Sequence, residues 1–255
     1  MSGHSKWATI KRKKAATDTA RGRLFTRLIK EIVIAARNAG ANPEGNPRLR
    51  LAIQTAKGAN MPADNIKRAV QRGTGELPGV TYEEITYEGY GPGGAAILVE
   101  AVTDNANRTV SELRHIFSRH NGNLGQAGSV AWMFQRKGNI VVSRTGQKTA
   151  ISEDEILGII LEAGADDMQA DDESFIITAP PQAFDVVKKA LEDKHIVPES
   201  ASLQMVPQNM VRVTGKEAEQ LLKLMEALEE HDDVQNVYSN FDIEEKELAA
   251  LQNSL

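Results

Sequence analysis

Apolar side chains recur every three to four positions through the first third of the chain, then give way to the runs and alternations of strands. On a helical wheel Leu24, Phe25, Leu28, Ile32, Ala35 and Ala36 share one side, which predicts a helix over 21–38. Gly40 and Asn42-Pro43 end it. Asn46-Pro47 reads as an N-cap followed by proline at the first helical position, so a second helix starts there and ends near Gly58. Pro62 opens a third, with Ile66, Ala69 and Val70 inward and Gly73 after its end. Ahead of these helices, residues 1–20 offer only Trp7 and Ile10 as large apolar side chains, too little to offset the entropy of ordering the segment on its own.

From Tyr82 the period changes. Segments 82–90 and 95–102 read as strands joined by Gly91-Pro92-Gly93-Gly94. Asp104 or Asn105 caps a helix to His120 with Val110, Leu113, Ile116 and Phe117 inward, and 129–134 reads as a further strand. Then come strand 139–144, helix 152–163, strands 166–170 and 174–178, helix 181–194 and strand 196–206, the β-α-β-β-α-β order of the ferredoxin-like motif. Strand 209–213, helix 216–230 and strand 234–241 supply what segment 82–134 needs to complete a sheet. The expected fold class is therefore α+β and multidomain. A three-helix N-terminal domain precedes two ferredoxin-like α+β domains, with the third inserted in the second. The expected boundaries are 1–78, 79–135 together with 207–245, and 136–206.

Charge divides the chain as well. Residues 1–75 hold seven Lys and nine Arg against Asp18, Glu31, Glu44 and Asp64, a net of +12; the whole chain is −5, which leaves −17 for residues 76–255. A fold needs no such split, whereas a polyanion-binding front end on an acidic, solubilising body does. The absence of cysteine removes disulfides, thiol nucleophiles and Cys-containing zinc sites, and suits a reducing compartment. No apolar run approaches the roughly 18–20 residues of a membrane span, and the basic start has no signal-peptide apolar region. The expected location is cytoplasmic, with no membrane partner.

Little else in the sequence proposes chemistry. Gly89-Tyr90-Gly91-Pro92-Gly93-Gly94 matches G-x-G-x-x-G, but the segment after it is strand-like, so it reads as a hairpin turn and not a phosphate cradle at a helix start. His115 and His120 are five apart, on different faces of one helix, and do not have metal-site spacing. The cluster Asp166, Asp167, Asp171, Asp172 and Glu173 lacks the spacing of a calcium loop and reads as solvated strand ends. No catalytic residue, metal site or cofactor is expected. The basic front end is different. Lys6, Trp7, Lys11, Arg12, Lys13 and Lys14 lead through Arg21 into a stripe of Arg23, Arg27, Lys30 and Arg37 on the helix side opposite its apolar face. Lys and Arg neutralise phosphates and an indole stacks on an unpaired base, so these eleven residues are the candidate nucleic-acid contacts.

The residues then point to a family. Gly3-His4-Ser5-Lys6-Trp7-Ala8 with Lys13-Lys14, Asn46-Pro47-Arg48-Leu49-Arg50 with Asn60-Met61-Pro62, Tyr87 to Gly94, and Asn107-Arg108-Thr109 through Gly128-Ser129-Val130 resemble the YebC/PmpR family in order. The resemblance implies three domains and a non-enzymatic regulator of gene expression, usually described as DNA-binding. Relatives that include a mitochondrial translational activator imply an alternative: a ribosome-associated factor that binds RNA and helps elongation through difficult stretches such as proline runs. The residues themselves leave DNA and ribosomal RNA both open. The connection from Gly58 to Pro62 has the length of a helix-turn-helix, yet of the opening Pro62-Ala63-Asp64-Asn65 only Asn65 suits base reading. A basic arm with one Trp suits irregular RNA at least as well.

Overall fold

A computed structural model describes residues 18–144, 152–170, 174–244, 247–248 and 251, with side chains from Arg21 onward. Two compact units divide the chain: one lies within Trp132–Asn209, and the other is built from residues up to Ala131 and from Met210 onward.

The second of these units begins with helices α1 (Asp18–Ala39), α2 (Pro47–Gly58) and α3 (Ala63–Gly73). Ile32, Ala35, Ala36, Leu49, Ala52, Ala56, Ile66 and Ala69 form their shared core. The predicted cap Asn46 is buried and works in both directions. Its Oδ1 accepts from the Leu49 N–H at 3.0 Å, while its amide donates to the carbonyls of Ala35 at 2.7 Å and Gly40 at 2.9 Å. One side chain thus starts α2 and ties it to the end of α1. Small residues bring α3 close to α1: a Cβ at Gly73 would stand 2.5 Å from the Val33 carbonyl oxygen.

Strands β1 (Glu83–Tyr90) and β2 (Ala96–Thr103) form the expected hairpin, followed by α4 (Ala106–Arg119) and the short β3 (Asn123–Leu124). The glycine-rich segment is a turn between two strands, with Gly93 and Gly94 at φ 71° and 74°, and the chain runs from it into β2 and not into a helix. Asn105 caps α4 through the Arg108 N–H at 3.1 Å. The 132–209 unit follows with β4 (Phe134–Ser143), α5 (Glu153–Glu162), β5 (Asp167–Ala170), β6 (Ser174–Ala179), α6 (Phe184–Asp193) and β7 (Ser200–Pro207). Its sheet order is β5-β6-β4-β7, all antiparallel, the ferredoxin-like arrangement. Ser152 and Glu155 make a capping box at α5, and Ile140, Val142, Ile156, Ile160, Phe175 and Leu191 fill the core.

The chain returns to the first-built unit with β8 (Val211–Arg212), α7 (Gly215–Glu230), β9 (Val234–Ser239) and β10 (Phe241–Asp242). Strand β9 joins β2 antiparallel and completes a sheet of order β3-β1-β2-β9, with Phe117 and Leu113 of α4 and Leu221, Leu224, Met225 and Leu228 of α7 buried in the same core. Each such side chain contributes about 1.5–3 kcal/mol by leaving water. The single strand expected over 234–241 breaks at Asn240, whose Oδ1 accepts from the Ala96 N–H at 2.7 Å; β10 then pairs in parallel with β8.

A second strand expectation fails. Segments 129–134 and 139–144 are not two strands: the first ends in a 3-10 turn, Ala131–Met133, and β4 runs unbroken from Phe134. The cause is Glu88, buried in β1. Its Oε1 accepts from the Gly128 N–H at 2.7 Å, and its Oε2 from the N–H groups of Val130 at 2.7 Å and Ala131 at 2.8 Å. Those donors are taken by a carboxylate and cannot enter a ladder. Burial pushes the Glu88 carboxyl up, but the three backbone bonds outweigh it and hold the group below its ordinary range.

Candidate nucleic-acid interface

Helix α1 carries its predicted cations on the side opposite its core, but with Lys30 buried, Arg23 and Arg27 half-buried and only Arg37 exposed, most of that side is turned from solvent. It lies against the corner where α7 ends and β9 begins, residues 229–233. Arg23 Nη2 donates to Glu230 Oε1 at 3.0 Å, and Arg27 donates to the Glu229 carbonyl. Glu229 stands in the last turn of α7, where carbonyls lack helical partners and the helix dipole favours a cation. Lys30 is buried: its ammonium donates to Asp233 Oδ1 at 2.7 Å and to the carbonyls of Asp232 at 2.9 Å and Val102 at 3.2 Å. Those three bonds use all the protons an ammonium has. The Tyr82 ring sits 5.7 Å from the same nitrogen, and Arg37 donates to the Tyr82 carbonyl at 2.6 Å.

The solvent-facing cationic stripe expected of α1 is therefore corrected: Arg23, Arg27 and Lys30 tie α1 to an acidic corner of the same chain, and Lys30 has no N–H left for a phosphate. Arg21, at the start of α1, is exposed. Lys6, Trp7, Lys11, Arg12, Lys13 and Lys14 lie outside the described residues.

Asp233 is the centre of the corner, and the sequence reading missed it. A bulge at Gln235 shifts the register between β2 and β9, and the Val102 N–H donates to the Asp233 carbonyl at 2.7 Å. Its carboxylate then points inward. Besides Lys30, Oδ2 accepts from Arg108 Nη2 at 2.8 Å and lies 2.8 Å and 3.1 Å from the hydroxyls of Thr109 and Thr103. Burial pushes this carboxyl up, but Lys30, Arg108 and Thr109 overcome that and hold it well below the usual carboxylate range. The signal was present in the sequence: Lys30 stands inside the densest apolar run of α1, Leu28 to Ala36, where a cation is buried only with a partner.

An open cleft of about 1020 Å³ lies over this corner, lined by Arg23, Tyr82, Arg108, Glu112, His115 and Asp232 among others. At its edge His231 Nδ1 accepts from the Asp233 N–H at 3.1 Å, and Nε2 is 2.8 Å from Glu112 Oε2. That pattern fixes the tautomer: Nε2 carries the proton and donates to Glu112. Ligand atoms of Glu112, His231 and Asp233 lie within 4.8 Å of one another. Their chemistry does not suit a cation, since both ring nitrogens are engaged and the Asp233 oxygens already face an ammonium and a guanidinium.

Comparison with known proteins bears on the whole chain. Residues 5–76 match the family model described as the TACO1/YebC N-terminal domain, and residues 82–241 that of the TACO1/YebC second and third domain. A protein of Acidobacterium capsulatum named probable transcriptional regulatory protein is 59% identical over 250 residues, covering 98% of this chain and 100% of the relative. One of the same name from Dictyoglomus turgidum is 54% identical over 251 residues, covering 98% and 100%. The crystal structure of a conserved hypothetical protein from Aquifex aeolicus is 48% identical with a TM-score of 0.83, covering 91% of this chain and 94% of that one. No helix among the described residues is long and apolar enough to cross a membrane.

Proposed function

The chain belongs to the TACO1/YebC family, and on that footing we propose that it is a nucleic-acid-binding regulator of gene expression, acting in the cytoplasm by binding and not by catalysis. The observation that carries the reading is the charge split, +12 over residues 1–75 against −17 over the rest. Relatives named as transcriptional regulators over their whole length support the regulatory part. The polar cluster at Asp233 supports binding over catalysis, because its carboxylate and the His231 ring are spent on internal hydrogen bonds. With the α1 stripe engaged, the contacts are assigned to Lys6, Trp7, Lys11, Arg12, Lys13, Lys14 and Arg21. Replacing Lys11, Arg12, Lys13 and Lys14 with Ala should lower the slope of log Kobs against log[salt] on duplex DNA by about 3–4 units, at about 0.9 per phosphate contact. An unchanged slope refutes the arm's role.

One observation favours a second reading, RNA on the ribosome. The first turn of α3 carries Asp64, where a recognition helix presents base-reading side chains to a groove walled by phosphate. A carboxylate there repels a duplex. On the RNA reading the protein co-sediments with ribosomes and is released by a nuclease specific for RNA. Release by a nuclease specific for DNA alone decides for the operator.

A further inference from the structure

We propose that the outer face of α3 is a second phosphate-binding surface, one that grips the phosphodiester backbone of a nucleic acid beside the basic arm. The inference rests on the reading above and adds a folded contact to it. Its basis is a sorting of cations. In the helical segment Arg23, Arg27 and Lys30 are spent on residues 229–233, and Arg37 donates to Tyr82. Arg48 is held by Glu31 at 2.7 Å and by Glu84 at 2.5 Å, and Arg50 donates to the Pro43 carbonyl at 3.4 Å. Lys67, Arg68 and Arg72 are exposed, and no acceptor of the described chain holds their charged groups. The fold engages Arg23, Arg27, Lys30 and Arg37 of α1, leaves Arg21 of α1 and Lys57 of α2 singly exposed, and turns the three cations of α3 outward together.

Geometry makes this a surface and not three scattered charges. At 100° per residue Lys67, Gln71, Arg68 and Arg72 occupy one arc of about 140°, while Ile66, Ala69, Val70 and Gly73 occupy the opposite one. Ile66 and Ala69 are buried, which fixes the rotation of the helix and turns the cations to solvent. Arg68 and Arg72 stand one turn apart, about 6 Å along the axis, a spacing that lets them engage separate phosphates of a backbone with one charge per roughly 3.4 Å of strand. The platform is rigid. Gly73 lies against the α1 backbone so closely that a Cβ would meet the Val33 carbonyl at 2.5 Å, and the Arg72 stem runs past Gly79, whose Cβ would sit 3.4 Å from its Cγ. Asp64 falls in the same arc a turn nearer the N-terminus, and Glu76 lies past the helix end, where its carboxylate accepts from Gln71 at 3.4 Å and Thr74 at 3.2 Å, so the three cations stand between two carboxylates.

The test compares two triple variants of the full chain that remove equal charge. Lys67→Gln, Arg68→Gln and Arg72→Gln should lower the salt slope by about 3 units on duplex DNA and about 2 on single-stranded RNA, at about 0.9 and 0.7 per contact. Lys188→Gln, Lys189→Gln and Lys194→Gln, on and beside α6 of the other unit, should leave the slope unchanged. The double variant Lys67→Gln and Arg68→Gln spares the packed Arg72 stem and should still lose about 2 units on duplex DNA. Equal slopes for the α3 and α6 triples overturn the proposal while leaving the arm and the regulator reading intact. Wild-type protein that binds neither nucleic acid in a salt-dependent way overturns the regulator reading, and this surface with it.

Discussion

Replacing Asp233 with Asn tests whether the tie between α1 and the α7–β9 corner is a buried ion pair that supports the unit. The amide keeps the size of the carboxylate but places an NH₂ against either Lys30 at Oδ1 or Arg108 at Oδ2, whichever way it is turned. Lys30, 6% exposed, is then a buried ammonium without a counter-charge beside it. Removing one partner of such a pair costs about 3–5 kcal/mol. At about 2–4 °C per kcal/mol for a unit of this size, the melting temperature should fall by about 6–20 °C. Lys30→Met should cost less, because Arg108 still faces the carboxylate. The pH dependence is a second handle. The folded pKa of Asp233 is depressed below its ordinary 3.8, so its contribution is complete above that value and is lost as the pH falls through the folded pKa. The gap between wild type and Asp233→Asn should be constant near neutrality and shrink below about pH 4, by about 1.4 kcal/mol per unit. Urea denaturation followed by circular dichroism from pH 7 to pH 2.5 measures both. A loss under about 1 kcal/mol at pH 7, or a gap that does not narrow in acid, would refute the buried pair.

Two further substitutions probe the packing. Gly73→Ala gains about 1 kcal/mol of helix propensity, but its Cβ meets the Val33 carbonyl oxygen at 2.5 Å and the Ala36 Cβ at 2.7 Å. Because a backbone carbonyl cannot swing aside, overpacking wins and a net loss of about 1–3 kcal/mol is expected in denaturant melts. Glu88→Gln weakens a carboxylate that receives three backbone N–H bonds, at a cost of about 1–3 kcal/mol. Hydrogen exchange should accelerate at Gly128, Val130 and Ala131 before it does in β1, and unchanged protection of those amides counts against the latch.

Local order was legible in the chain because its signals are local. Asn46 caps where it was placed, Asn105 is the one of the pair Asp104 and Asn105 that caps α4, Ser152 stands at the start of α5, and the β-α-β-β-α-β order over 132–209 follows from period and punctuation alone. The candidate interface was legible only in part. A wheel shows which residues share a face of α1, and it does so correctly, but it cannot show what that face meets.

What the amino-acid sequence determined by itself is the family, the α+β order of elements, the helix caps and the division of charge, all set by neighbours a few residues apart or by plain counting. Tertiary structure alone decided which charges are free. Lys30 is silenced by Asp233, and Val130 and Ala131 are drawn out of a strand by Glu88. In each case a carboxylate far along the chain captures donors that composition and periodicity would leave to solvent or to a ladder. A buried polar group must find a partner, and where that partner comes from is a property of the fold.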